Sequence, residues 1–134
     1  MAGQSPQARI KKWMECDNYM VAVVEKWNHF ARIRQDCFGF ADLLACRPNK
    51  NPGGRGDICL VQCTSGSNHG ARVKKILNER KSEAQYCLLA GFRIAVASTK
   101  MTKGKYEMRW QEITLSDFAG DCTGQLLEGK WPDA

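Results

Sequence analysis

The apolar positions along this chain change period several times. After Ser5-Pro6, the residues Ile10, Trp13 and Met14 recur at i, i+3 and i+4 with Lys11, Lys12 and Glu15 opposite, which predicts an amphipathic helix ending near Asp17-Asn18. YMVAVVEKW (19–27) is dense in β-branched and aromatic residues and predicts a buried strand. NHFARIRQDCFG (28–39) keeps no period and reads as a connecting loop carrying Arg32 and Arg34; Trp27, Phe30 and Phe38 flank those arginines, expected in the core ahead of the alternative that they stack on splayed bases. FADLLAC (40–46) and DICLVQC (57–63) are short apolar runs separated by RPNKNPGGRG, whose Pro, Asn and Gly residues favour turns; together they predict an antiparallel hairpin with a long basic tip.

SGSNHGARVKKILNER (65–80) then offers Ser and Asn as caps and puts Val73, Ile76 and Leu77 on one stripe, with Arg72 and Lys75 on another. KSEAQYCLLAG (81–91) predicts a second helix stopped by Gly91, and FRIAVAST and YEMRWQEITL predict two more strands joined through KMTKGK. The final stretch has no sustained period and is expected to be a docked or disordered arm. The order is helix, three strands, a helix or helix pair, and two strands. This is an α/β pattern, expected as one domain over 1–115 followed by an acidic arm over 116–134.

Composition narrows the picture. With 134 residues the chain makes one domain, which buries roughly two thirds of its unfolded surface. No apolar run approaches the roughly 18 residues that span a bilayer, and the first twenty residues lack a signal-peptide core, so a soluble, cytoplasmic protein without a membrane partner is expected. Seven cysteines form no C-x-x-C pair; they read as small buried hydrophobes in a reducing compartment. Zinc is not expected with two histidines and no paired ligands.

The net charge is +6 and unevenly spread. Residues 58–111 carry ten Lys/Arg against three Asp/Glu, whereas 112–134 carry one against five. A basic body with an acidic tail suits a polyanion-binding protein. Arg32, Arg34, Arg47, Lys50 and Arg55 on loops, with Arg72, Lys74 and Lys75 on the helix, would form a nucleic-acid-binding surface if the loops converge. Thr64, Ser65, Ser67, Asn68 and His69 crowd a junction between strand and helix, where free amides and the positive helix end favour a phosphate; simple capping explains them equally well. His69 reads either as a base near neutral pH or as a hydrogen-bonded surface residue.

FADLLA, the following ICLVQCTS and the order of elements around them resemble the PD-(D/E)XK superfamily, the restriction-endonuclease-like nucleases, and in particular its small phage and archaeal Holliday-junction-resolvase-like branch. The resemblance covers about residues 8–115. It implies an αβββαβ core whose central mixed sheet is flanked by helices, and a divalent-metal-dependent endonuclease that cleaves DNA, often as a homodimer. Asp42 would be the metal-binding aspartate of the second strand. Gln62 falls where the third strand carries an acid, and Thr64 where it carries a lysine two residues on. Mg²⁺ or Mn²⁺ prefers oxygen ligands, so Asp42 and Gln62 would hold it. Glu25 or Glu15 would supply the upstream acid, and Lys74 or Lys75 a migrated ammonium. With Gln62 and Thr64 in the motif, two functions remain open: a DNA-cleaving enzyme, or an inactive nuclease scaffold that binds DNA or a host protein.

Overall fold

A computed structural model of the chain describes residues 4–50 and 54–118. The Ser5 hydroxyl accepts from the Ala8 amide at 3.1 Å and Pro6 supplies the pre-set first turn, so helix α1 (Pro6–Cys16) starts where the sequence signals it. Ile10 and Met14, one turn apart, are fully buried against the sheet. Trp13, expected on the same face, is instead 45% exposed and stacks at a tilt on Trp110 with ring centroids 6.1 Å apart.

Strands β1 (Met20–Val23), β4 (Leu43–Arg47), β5 (Asp57–Ser65), β6 (Arg93–Thr102) and β7 (Lys105–Ile113) form one sheet in the order β1-β4-β5-β6-β7. All neighbours are antiparallel except β5 and β6. That parallel step needs a crossover, which α2 (His69–Asn78) and α3 (Lys81–Leu89) provide. Helix α1 packs on Leu43, Ala45, Cys59, Val61, Cys63, Ala95 and Ala97. Small side chains at these alternate positions let the helix lie close. The other face presents Leu60, Ile94, Val96 and Ile113 to Phe40, Ile76, Ala84, Cys87 and Phe118. The result is three layers, helix on mixed sheet on helix pair, with β5 central and buried on both faces. The described cysteines are free, and burial pushes the Cys59 and Cys87 thiols up to about 12 and about 11, which leaves them inert.

Several elements depart from the sequence reading. The strand expected to be buried over 19–27 ends at Val23 and is largely exposed, because among the described residues β1 is a sheet edge that pairs with β4 alone. After Glu25 the chain leaves the sheet as a separate two-stranded hairpin, β2 (Lys26–Asn28) and β3 (Ile33–Gln35), inside the segment expected to be a loop. Trp27, Phe30 and Phe38, expected in the core, are 47%, 102% and 52% exposed: among the described residues no layer packs on the hairpin that carries Trp27 and Phe30, and Phe38 lies in the turn that follows it. Strands β6 and β7 run further into KMTKGK than expected, closed by Lys103 and Gly104 with φ of 50° and 79°. The domain also continues past residue 115, for Phe118 is buried in the core; the rest of the acidic arm, 119–134, lies outside the described residues, as do 51–53 at the tip of the basic loop. Among the described residues no helix is long and apolar enough to cross a membrane.

Candidate functional site

The hairpin β2–β3 leaves the sheet after Glu25 and returns at Asp36. A tight turn then brings the chain back to β4: the Gly39 amide donates to Asp36 O at 3.0 Å, and Cys37 and Ala41 exchange backbone hydrogen bonds of 2.8 and 2.9 Å. Phe38 and Gly39 are both left-handed, with φ of 56° and 82°. For a bulky residue such as Phe38 this is a strained conformation, of the kind concentrated at functional sites. Asp42 follows, its amide on Val61 O and its carbonyl on the Val24 amide, each at 2.9 Å. The outcome is convergence: one carboxylate oxygen from each of Glu25, Asp36 and Asp42 lies within 4.8 Å of the others.

Asp42 is 6% exposed, and its Oδ2 accepts from Gln62 Nε2 and from the Cys63 amide, both at 2.8 Å. Burial, a hydrogen bond with Asp36 and the charges of Asp36 and Glu25 push its carboxyl up to about 8, against the opposing Cys63 amide. Without a cation, the Asp42–Asp36 pair therefore keeps a proton to higher pH than a free carboxyl does. Glu25 is paired with Arg34 Nη1 at 3.0 Å. Three acids so close repel one another as carboxylates, and either a proton or a cation between them relieves that repulsion.

The donor set fits a hard divalent ion such as Mg²⁺ or Mn²⁺, which takes oxygen ligands. Gln62 adds support, because its Oε1 is buried without a hydrogen-bond partner among the described residues while its Nε2 is held by Asp42. A buried unpaired carbonyl costs about 1–3 kcal/mol, a penalty that a bound cation removes. These groups line a cleft of about 540 Å³ that also holds Thr64 and Ser65 from the end of β5, Gln7 from α1, Asn68 at the N-cap of α2, and Arg72 and Lys75 along that helix. Acids on one wall and Arg34, Arg72 and Lys75 around them suit an ion together with a phosphate.

The cleft gathers Asp42, Gln62, Thr64, Glu25, Lys75, Arg34, Asn68 and Arg72. Others fall elsewhere. Arg47 and Arg55, expected to bind nucleic acid with this group, line a separate cleft beyond the far end of β4, some five residues and about 17 Å of strand from Asp42. Arg47 is held there by Asp17 at 3.0 Å and Asp57 at 3.1 Å, and its guanidinium lies 4.4 Å over the Tyr19 ring, which gives it a structural role. Lys74 and Ser67 are exposed but do not line the cleft, and Arg32 sits at the hairpin turn with φ of 53°. Glu15 pairs with Lys11 along α1. His69 must be withdrawn as a phosphate or proton-transfer residue: it is 1% exposed, with Nδ1 2.7 Å from Ser98 Oγ and Nε2 2.9 Å from Gln111 Oε1, and so ties α2 to β6 and β7.

Asp36 is the residue that sequence reasoning missed. It lay in a segment without periodicity, so nothing placed it near Asp42. One signal existed: it is the sole acid between Glu25 and Asp42 in an otherwise basic stretch. No known protein family, curated protein or solved structure matches the chain. The functional reading therefore rests on the chemistry of the cleft.

Proposed function

We propose that the protein is a divalent-metal-dependent phosphodiesterase acting on DNA, built on a restriction-endonuclease-like core. The observation that carries the reading is the convergence of Glu25, Asp36 and Asp42 beside the orphaned carbonyl of Gln62. The topology supports it: a first helix, three antiparallel neighbours β1, β4 and β5, then a helical crossover to a parallel β6, in the order the resembled core has.

A bound Mg²⁺ or Mn²⁺ would polarise a water and neutralise charge building on the phosphoryl oxygens. The chain's own residues do the rest. Glu25, Asp36 and Asp42 would hold the ion, and Gln62 Nε2 with the Cys63 amide fixes the Asp42 carboxyl through Oδ2. Arg72 and Lys75 on α2 take phosphate oxygens. Thr64 contributes a hydroxyl and no charge, so Lys75 supplies the ammonium that a lysine at that strand position would have supplied.

The neutral pair Gln62 and Thr64 also favours a second reading, a scaffold that binds DNA or a host protein without cutting. Nicking of supercoiled and branched DNA in Mg²⁺ or Mn²⁺ separates the two. Cleavage is expected in the native protein, and replacing the ligand in Asp36→Asn should cost more than the roughly 10–100-fold lost when a ligand's outer partner is removed. Metal-independent DNA binding with no cleavage, unaltered by Asp36→Asn, selects the non-catalytic scaffold.

A further inference from the structure

We infer that the β2–β3 hairpin is a stacking wedge for unpaired bases, so that the preferred substrate is DNA with single-stranded or branched character. The inference rests on the proposed phosphodiesterase and goes further, by naming the form of DNA it selects. The hairpin's two ends are Glu25 and Asp36, so whatever it grips is delivered to the acidic cleft. At its tip Phe30 is 102% exposed. Asn28 Oδ1 accepts from the Phe30 and Ala31 amides at 2.9 and 3.0 Å, so the tip that presents this ring is a built turn rather than a slack loop.

Two further observations name the occupant. Trp27 and Ile33 are also about half exposed, and Trp27 lies opposite Arg34 in the strand pairing, so an aromatic and a basic residue share one face of the hairpin, with the Arg34 guanidinium reaching Glu25. The segment from Lys26 to Gln35 also contains Lys26, Arg32 and Arg34 and no acid. Aromatic rings interleaved with cations suit a strand whose bases stack while its phosphates are neutralised. A perfectly paired duplex hides its base faces and offers Phe30 nothing to stack on. Five residues of chain separate Phe30 from Glu25 and reach at most about 17 Å, and bases along one strand are spaced about 3.4 Å apart, so the cut should fall within about five nucleotides of the unpaired base.

The test is anisotropy binding in EDTA, using a forked DNA with 2-aminopurine at the branch and a fully paired duplex of the same sequence. The fork should bind at least about five-fold more tightly and its 2-aminopurine fluorescence should change on binding. Phe30→Ala should abolish that preference and that signal while leaving duplex affinity unaltered, and Phe30→Trp should restore both. Equal affinity for fork and duplex, or equal loss on both with Phe30→Ala, overturns the wedge alone and leaves the phosphodiesterase standing if duplex is still cut in Mn²⁺. A Phe30→Ala that turns a dimer into a monomer without altering fork affinity also overturns it, in favour of a contact between copies of this chain. Absence of binding to either DNA, together with absence of cleavage, overturns both readings.

Discussion

Asp42→Asn should stabilise the metal-free protein at high pH, although it removes a central residue of the proposed site. In the fold the Asp42 carboxyl is pushed from 3.8 up to about 8 by burial, by its hydrogen bond with Asp36 and by the nearby acids. The folded state therefore binds a proton that the unfolded chain releases across this window. Stability is fully present below about pH 4 and is lost as pH rises towards 8, the reverse of the usual salt-bridged carboxylate. Each tenfold change in proton affinity is worth about 1.4 kcal/mol, which sets an upper bound of about 6 kcal/mol. Even a third of that, about 2 kcal/mol, moves a urea midpoint by about 1 M. Asparagine keeps an acceptor for Gln62 Nε2 and the Cys63 amide and gains a donor toward Asp36, so it mimics the protonated acid. Urea unfolding in EDTA at pH 5, 7 and 9 is the assay. The native-minus-variant difference should be small at pH 5 and should favour the variant by about 2 kcal/mol or more at pH 9. With Mn²⁺ saturating the native site the order at pH 9 should reverse, because the ion stabilises only the fold that binds it. A difference that does not vary with pH would refute the reasoning.

Other perturbations separate placement from chemistry. A Cβ at Gly39 would sit 2.6 Å from Arg80 Nε on a backbone with φ of 82°, so Gly39→Ala should cost about 2 kcal/mol in urea unfolding and, by moving Asp36, weaken Mn²⁺ binding measured by calorimetry. His69→Ala should remove the hydrogen bonds to Ser98 and Gln111, leaving Gln111 Oε1 only its longer bond from Arg109, and cost about 2–4 kcal/mol in thermal unfolding, while DNA affinity at a temperature where the variant is folded stays unchanged. Thr64→Lys should raise Mn²⁺-dependent cleavage by at least about tenfold in a nicking assay, as expected for an added transition-state cation.

The layers of this fold were legible because periodicity is a local property. Ile10 with Met14, the hairpin of β4 and β5, and the stripe from Val73 to Leu77 carry their own spacing signals, and Ser5-Pro6 and Gly91 mark ends by backbone chemistry. Half of the site was legible for the same reason: Asp42 and Gln62 lie opposite each other across a predictable hairpin, and their side chains meet. What stayed hidden depends on non-local geometry. Asp36 reaches the cluster only because a hairpin projects between β1 and β4 and a left-handed turn at Phe38-Gly39 folds it back. The aromatic residues of that hairpin have the composition of a core, and among the described residues its separation from the five-stranded sheet keeps them in solvent. His69 looked like a surface group by residue type, whereas two polar partners on β6 and β7 make its burial tolerable.

The central claim is that Glu25, Asp36 and Asp42 together hold a divalent cation. Anomalous scattering from crystals soaked in Mn²⁺ near pH 8.5 tests it directly, at a pH where Asp42 readily gives up its proton. The account predicts a peak within about 2.3 Å of a carboxylate oxygen from each of the three residues. A crystal with Mn²⁺ bound elsewhere on the protein and none between these acids would contradict it.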